Sequence, residues 1–142
     1  MILADVNVLV YAHRPDVARH EEFKGWLEGV ISAPAAFGTS DLVLSGFIRV
    51  VTHPRVFRDP TPLPDAFAFA EAVRSSDSAV HLDPGPRHWE IFRGLCERVH
   101  PRGNLVPDAF FAALAIEAGA EWITTDRDFS RFPGLRTRHP LE

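Results

Sequence analysis

Cysteine is nearly missing from the 142 residues: Cys96 stands alone. No disulfide can close within the chain, which fits a reducing compartment, and no thiolate pair is present to hold a structural zinc. The seven histidines include no H-x-x-H or H-x-x-x-H pair, so the usual imidazole metal motifs are absent too. There is no glycine-rich phosphate loop, which disfavours a nucleotide-binding fold, and Ser45 has no nucleophile-elbow context. No apolar run approaches the ~18 residues of a membrane span, and no basic segment leads an apolar stretch. Neither sign of charge dominates: the formal net charge of −4 argues neither for nor against an anionic partner. No internal repeat or low-complexity tract is found. These absences leave a soluble, cytoplasmic protein without a membrane partner as the expectation, with residues 1–142 forming a single domain.

Apolar residues are plentiful. They make up 46% of the chain, with eleven Phe and three Trp, enough for a sizeable core. Residues 1–5 read as a first strand. In "VARHEEFKGWLEGVIS", Phe23, Trp26, Leu27, Val30 and Ile31 recur at helical spacing. "PAAFGTS" is a short strand candidate. "DLVLSGFIRVVT" reads as a largely buried helix with Asp41 as a plausible cap, ended by His53–Pro54. Residues 54–64 hold four prolines and form the longest loop, where a lid or binding loop would sit. "DAFAFAEAVRSS" is a helix, "AVHL" a strand, and "DPGPRHWEIFRGLCERV" a helix with Trp89, Phe92, Leu95, Cys96 and Val99 on one stripe. "VPDAFFAALAIEAGA" is a helix with Pro107 in its first turn and Gly119 at its stop. "EWITT" is a strand, "DRDFSRFPG" a polar turn, and "LRTRHPLE" a last edge strand. Strands alternating with helices predict an α/β fold: a three-layer α/β/α sandwich on a mostly parallel sheet of four to five strands.

In an open parallel sheet, sites form outside the carboxyl ends of the strands. Asp5 ends the first strand. Asp126 follows "EWITT" and ends another. Asp108 lies in the first turn of the helix that precedes that strand. A helix over residues 108–119 covers ~18 Å and the five-residue strand returns ~17 Å, so all three carboxylates converge on one rim. Singly, each has a plainer reading: a turn residue, a helix-dipole partner, a turn cap. Together they repel one another unless a proton or a divalent cation offsets the charge. Oxygen-only ligands suit Mg²⁺ or Mn²⁺, not structural zinc. The chemistry natural to such a site is attack of an activated water on a phosphodiester. Thr124 and Thr125 either bond to the carboxylates or merely suit the strand. Arg49, Arg55 and Arg58 around the proline-rich loop, or Arg127 and Arg131 after Asp126, could meet phosphates. Phe57 could stack a base, whereas Trp89 fits the core.

The segments "ADVNVLVYAH", "LSGFIRVVTHPRVF" and "VPDAFFAALAIEAGAEWITTDRDF", in this order, resemble the PIN-domain ribonucleases, and more closely the VapC toxins of toxin–antitoxin pairs. The resemblance spans nearly the whole chain. It implies a Mg²⁺- or Mn²⁺-dependent endoribonuclease that hydrolyses single-stranded RNA. It also implies a homodimer neutralised by a small VapB-like antitoxin. Asp5, Asp108 and Asp126 match the family's first, third and fourth acids, with Asp128 as an accessory and Asn7 as the small polar residue after the first. Asp5 and Asp108 are the metal ligands this implies. The family's second acid, commonly Glu, falls at Gly46, and Asp41 is the nearest carboxylate that might replace it. With that acid missing, the alternative is a catalytically weak module that binds RNA or a partner.

Overall fold

A computed structural model describes residues 1–142. The elements run β1 (Ile2–Ala4), α1 (Val6–His13), α2 (His20–Ser32), β2 (Phe37–Thr39), α3 (Asp41–Val51), α4 (Leu63–Arg74), β3 (Ala79–His81), α5 (His88–Val99), α6 (Leu105–Ala118), β4 (Glu121–Ile123) and β5 (Thr137–Arg138). A 3₁₀ turn at Arg127–Arg131 lies between β4 and β5. The strands form one sheet in the order β3-β2-β1-β4-β5, and every pairing is parallel. The expected α/β class and strand count are both found.

The first helix is a departure from the sequence pattern. Val6–His13 is apolar on nearly every side, with Val8, Leu9, Val10 and Ala12 all buried, and a run without periodicity does not separate strand from helix. Burial on several faces explains the run. α1 packs on both α2 and α3, so its apolar surface has no solvent side.

The strand order places the site. From β1 through β2 to β3 the chain steps outward in one direction, and right-handed crossovers put α1 to α4 on one face. The next connection carries α5 and α6 back to β4 on the other side of β1, so those two helices cover the opposite face. The direction reverses between β1 and β4, and a crevice opens at the carboxyl ends of strands that part in this way. Asp5 follows β1 and Asp126 follows β4, so two of the acids flank this switch point. The Asp5 N–H donates to the Ile123 carbonyl at 2.8 Å, which ties the two strand ends together.

The sheet floor beneath the site is stiff. Trp122, on β4, is fully buried; it stacks on Phe111 at 5.7 Å and tilts against Phe129 at 5.3 Å between ring centroids. Truncating such a side chain costs roughly 3–5 kcal/mol. α6 lies close over the sheet because Ala109, Ala112, Ala113 and Ala115 are its buried residues along with Leu114. It stops at Gly119, whose φ of 67° is the left-handed conformation that glycine adopts without a steric penalty.

Three sequence expectations are corrected. Ser40, not Asp41, caps α3: its side chain accepts from the Leu42 N–H at 3.2 Å, and Asp41 is the first helical residue. Trp89 is not core; at 67% exposure it is the most open of the large apolar side chains. Of the stripe predicted on α5, only Leu95 is fully buried. The proline-rich loop is irregular as expected, but it is no lid. α1 and α3 both start at the carboxyl edge of the sheet and run away from it. The loop is held at their far ends, where the Thr61 N–H donates to the Val51 carbonyl at 2.8 Å and Arg14 donates to Thr61 Oγ1 at 3.2 Å.

Candidate active site

Asp5 occupies the cap position of α1 with extended backbone angles, φ −66° and ψ 155°, yet makes no side-chain capping bond. An aspartate there ordinarily accepts from the first-turn N–H groups. Instead its Oδ2 accepts from the Thr124 hydroxyl at 2.7 Å. Asp5 as a whole is only 7% exposed. Burial is the largest influence on it and pushes its pKa up to about 6, against the pull of Thr124 and of the Val6 N–H, with Asp126 adding repulsion.

Thr124 follows β4 directly and is buried. Its hydroxyl donates to Asp5 and accepts from the Asp126 N–H at 3.0 Å. Asp126 in turn uses Oδ1 to accept from the Asp128 N–H at 2.9 Å, capping the 3₁₀ turn. One hydrogen-bonded chain thus runs from Asp5 through Thr124 and Asp126 to the backbone of Asp128. The sequence left two roles open for Thr124. The structure gives it both: it continues the strand end and bonds the Asp5 carboxylate, while accepting from the Asp126 backbone.

Asp108 reaches the same rim from the first turn of α6 and is half-buried. Its pKa also stands at about 6, raised first by burial and then by the negative charges of Asp5, Asp126 and Asp128. That all three act on it places the four carboxylates in one electrostatic cluster. Asp5, Asp108 and Asp126 therefore lie on the same rim, near enough for their charges to act on Asp108, with Asp128 exposed beside them.

Several other candidates are not brought there. Asp41 pairs with Arg74 at 2.9 Å and lies 3.9 Å from His81, and Arg74 holds its pKa below the usual carboxylate value. It does not serve as a replacement acid in the cluster. Gly46 sits against the residue after Asp5: a Cβ there would stand 2.9 Å from Val6 Cγ2, so the position admits no side chain unless Val6 shifts. Arg55 and Phe57 lie in the proline-rich segment at the far end of α3. One face of the Phe57 ring already carries the Arg14 guanidinium, 4.2 Å from its centroid, and the ring stands away from the acid rim. Arg127, by contrast, is exposed right beside Asp126.

The cluster has the chemistry of a hard-cation site. Its donors are carboxylate oxygens, and both raised pKa values express repulsion or desolvation that a bound cation would relieve. No three carboxylate, imidazole or thiol groups stand close enough to cage an ion among themselves. That suits Mg²⁺ or Mn²⁺, which take one or two protein carboxylates and complete the shell with water and phosphate oxygens. The donor chemistry therefore matches a hard cation, held by one or two carboxylates and not by a preformed cage of three.

A parallel α/β sheet with acids at its switch point defines a class of α/β domains with a carboxylate site at the strand ends, and comparison with known proteins narrows it. Residues 2–135 match the PIN domain family. Ribonuclease VapC43 of Mycobacterium tuberculosis is 47% identical over 142 residues, covering 100% of this chain and 97% of that protein. Ribonuclease VapC25 of the same organism is 40% identical over 140 residues, covering 99% of each. The chain belongs to the PIN-domain family and, by this identity along its length, to the VapC ribonucleases within it. Among solved structures, VapBC2 from Rickettsia felis, bound to a DNA fragment from its promoter, superposes with a TM-score of 0.73 at 19% identity over 98% of both chains. M. tuberculosis VapC20, a sarcin–ricin loop cleaving toxin, gives 0.68 at 21% identity over 96% of this chain and 99% of that one. At such identities the likeness is one of fold.

Proposed function

We propose that this single PIN-like domain is the toxin of a toxin–antitoxin pair, a divalent-metal-dependent endoribonuclease that hydrolyses single-stranded regions of RNA. The observation that carries the reading is the linked acid cluster at the switch point, with Asp5 buried and held by Thr124 instead of capping its helix. The names of the full-length relatives support ribonuclease activity.

Asp5 and Asp108 would hold one Mg²⁺ or Mn²⁺. When bound, that ion supplies a Lewis acid for a phosphate oxygen and lowers the pKa of a water. Thr124 fixes the Asp5 carboxylate in orientation, so no reorganisation is needed when substrate arrives. Asp126 has Oδ1 committed to the Asp128 N–H; its second oxygen serves the site directly or through a water that it orients for in-line attack. Two carboxylates with pKa values near 6 are mostly ionised at neutral pH, which is the form a cation needs. No protein nucleophile takes part. A small VapB-like antitoxin would be the partner, as the VapBC name of the R. felis structure supports, and a homodimer the working assembly.

The test is cleavage of total RNA by the purified, antitoxin-free protein with Mg²⁺, with Mn²⁺ and with EDTA, beside folded Asp5→Asn and Asp108→Asn proteins. Discrete fragments that require metal and disappear with either variant are expected. Equal cleavage by the variants would refute the site. No cleavage by a folded wild type under any metal would leave a binding module, for which the crowding at Gly46 would be the reason.

A further inference from the structure

A second feature adjoins the acids. Beyond Asp126 a groove of about 720 Å³ runs between the carboxyl ends of β4 and β5, and none of the nine residues lining it is hydrophobic. It shares Thr124 and Asp126 with the acid cluster. Its remaining walls carry hydroxyls from Thr125, Ser130 and Thr137, the cationic or donor groups of Arg127, Arg138 and His139, and one carboxylate, Glu142.

We infer that this groove is the track for the sugar–phosphate backbone of the RNA on one side of the scissile bond, with Arg127 as its phosphate contact. The inference rests on the ribonuclease reading above for the scissile phosphate's place at Asp5 and Asp108. Continuity gives the first argument: a strand whose phosphate lies at the acids meets Asp126 next, and Asp126 is also a wall of the groove. Lining gives the second. Bases are read chiefly by stacking on aromatic rings and by hydrogen bonds to their edges, and this groove has no Phe, Tyr or Trp, His139 being its one ring. Hydroxyls, guanidinium groups and an imidazole are the donors that meet phosphate and ribose oxygens.

The cations in the groove differ in availability. Arg138 is engaged by Glu121 at 2.6 Å. The Arg127 side chain has neither a carboxylate partner nor a hydrogen bond within the protein, although it is flanked by Asp126 and Asp128. It is therefore the guanidinium free to take an incoming anion, and it stands one residue from a catalytic acid. An acid cluster repels a polyanion, so a cation beside it is needed for approach. His139 adds a donor. Its Nδ1 accepts from the Leu141 N–H at 3.2 Å, which places the proton of the neutral ring on Nε2.

A backbone track positions the substrate without reading its sequence. Removing Arg127 therefore weakens all RNAs alike and leaves the cleavage sites unchanged. Binding of a labelled single-stranded RNA to the full-length Asp5→Asn protein, which cannot turn it over, is measured by anisotropy across a salt series. Arg127→Ala in that background is expected to weaken binding and to reduce the slope of log K against log salt by about 0.7, the value for one phosphate contact on a single strand. Arg127→Lys restores part of both. Thr137→Glu, which puts an anion into the groove, also weakens binding. Arg93→Ala, on the exposed face of α5, leaves affinity and slope as they were. In the cleaving protein, Arg127→Ala raises KM more than it lowers kcat and gives the same fragment pattern. Affinity and slope unchanged by Arg127→Ala would overturn the inference. So would a changed fragment pattern, which would make the groove a reader of bases. If the wild type binds RNA with a slope that Arg127→Ala reduces yet cleaves none, the groove stands and the ribonuclease reading falls.

Discussion

Replacing Asp5 with asparagine should stabilise the metal-free protein, even as it removes activity. Asn is isosteric, and its carbonyl oxygen can still accept from the Thr124 hydroxyl. What it removes is a buried charge. The ordinary pKa of the carboxyl is 3.8, and in the folded protein it stands at about 6. The folded state therefore holds the proton more tightly than the unfolded chain. The stability conferred by the protonated form is complete below 3.8 and is lost as pH rises through 6. With about 1.4 kcal/mol per pKa unit, ionisation costs about 3 kcal/mol at pH 8 and only a small fraction of that at pH 4. Asp5→Asn removes that cost, so the variant gains about 3 kcal/mol at pH 8, or about 6–12 °C in Tm at this chain length. The gain nearly vanishes at pH 4. Urea and thermal denaturation in EDTA at both pH values measure it. Saturating Mg²⁺ should reverse the order: a site filled at one thousand times its Kd adds about 4.1 kcal/mol, more than the variant's lead, and the wild type alone retains both ligands. An Asn variant no more stable than wild type at pH 8 in EDTA, or equally favoured at pH 4, would refute the electrostatic account of the site.

Thr124→Val removes one hydroxyl that serves two acids. It is expected to cost roughly 1–3 kcal/mol and to move the acid limb of the pH–rate profile upward, because Thr124 holds the Asp5 pKa down; Thr124→Ser restores the profile. Gly46→Glu is expected to lower stability by roughly 1–3 kcal/mol through contact with Val6, read as a lower Tm, with part of the loss recovered when Val6→Ala opens the space. Asp41→Asn breaks an exposed ion pair with Arg74 and should leave the rate of RNA cleavage unchanged, since Asp41 is no part of the cluster. A fall in that rate would restore Asp41 as the substitute acid.

The acids could be placed from the sequence because topology alone fixes them. Any residue that follows a strand of a parallel sheet, or opens the helix leading to one, lies on the carboxyl rim whatever the side chains around it do. Asp5, Asp108 and Asp126 needed no contact to be known in advance. Thr124 was only half legible, because a threonine at a strand end is satisfied equally by β-propensity and by a carboxylate, and only the 2.7 Å bond to Asp5 separates the two. The proline-rich loop misled for a related reason. Composition shows that a segment is irregular but not which end of a helix it leaves, and α3 carries it away from the rim. Trp89 misled because a stripe at helical spacing marks a face without saying how far the neighbouring layer extends to cover it.

The two halves of the site therefore stand on different grounds. The acid half is determined by connectivity, and any sequence that keeps this strand order and these three aspartates will reproduce it. The groove half depends on which cation is left unpaired, and pairing is settled by contacts between distant residues. Arg138 and Arg127 look alike in the sequence, each beside a strand end. They differ only because Glu121 on β4 lies next to Arg138 on β5 in a parallel register that pairs Trp122 with Thr137. Glu121→Gln should release Arg138 to join Arg127 in the groove. The salt slope for single-stranded RNA is then expected to steepen by about 0.7 relative to the parent protein. An unchanged slope would mean that the ion pair does not withhold Arg138 from phosphate, and that availability of the guanidinium is not what distinguishes Arg127.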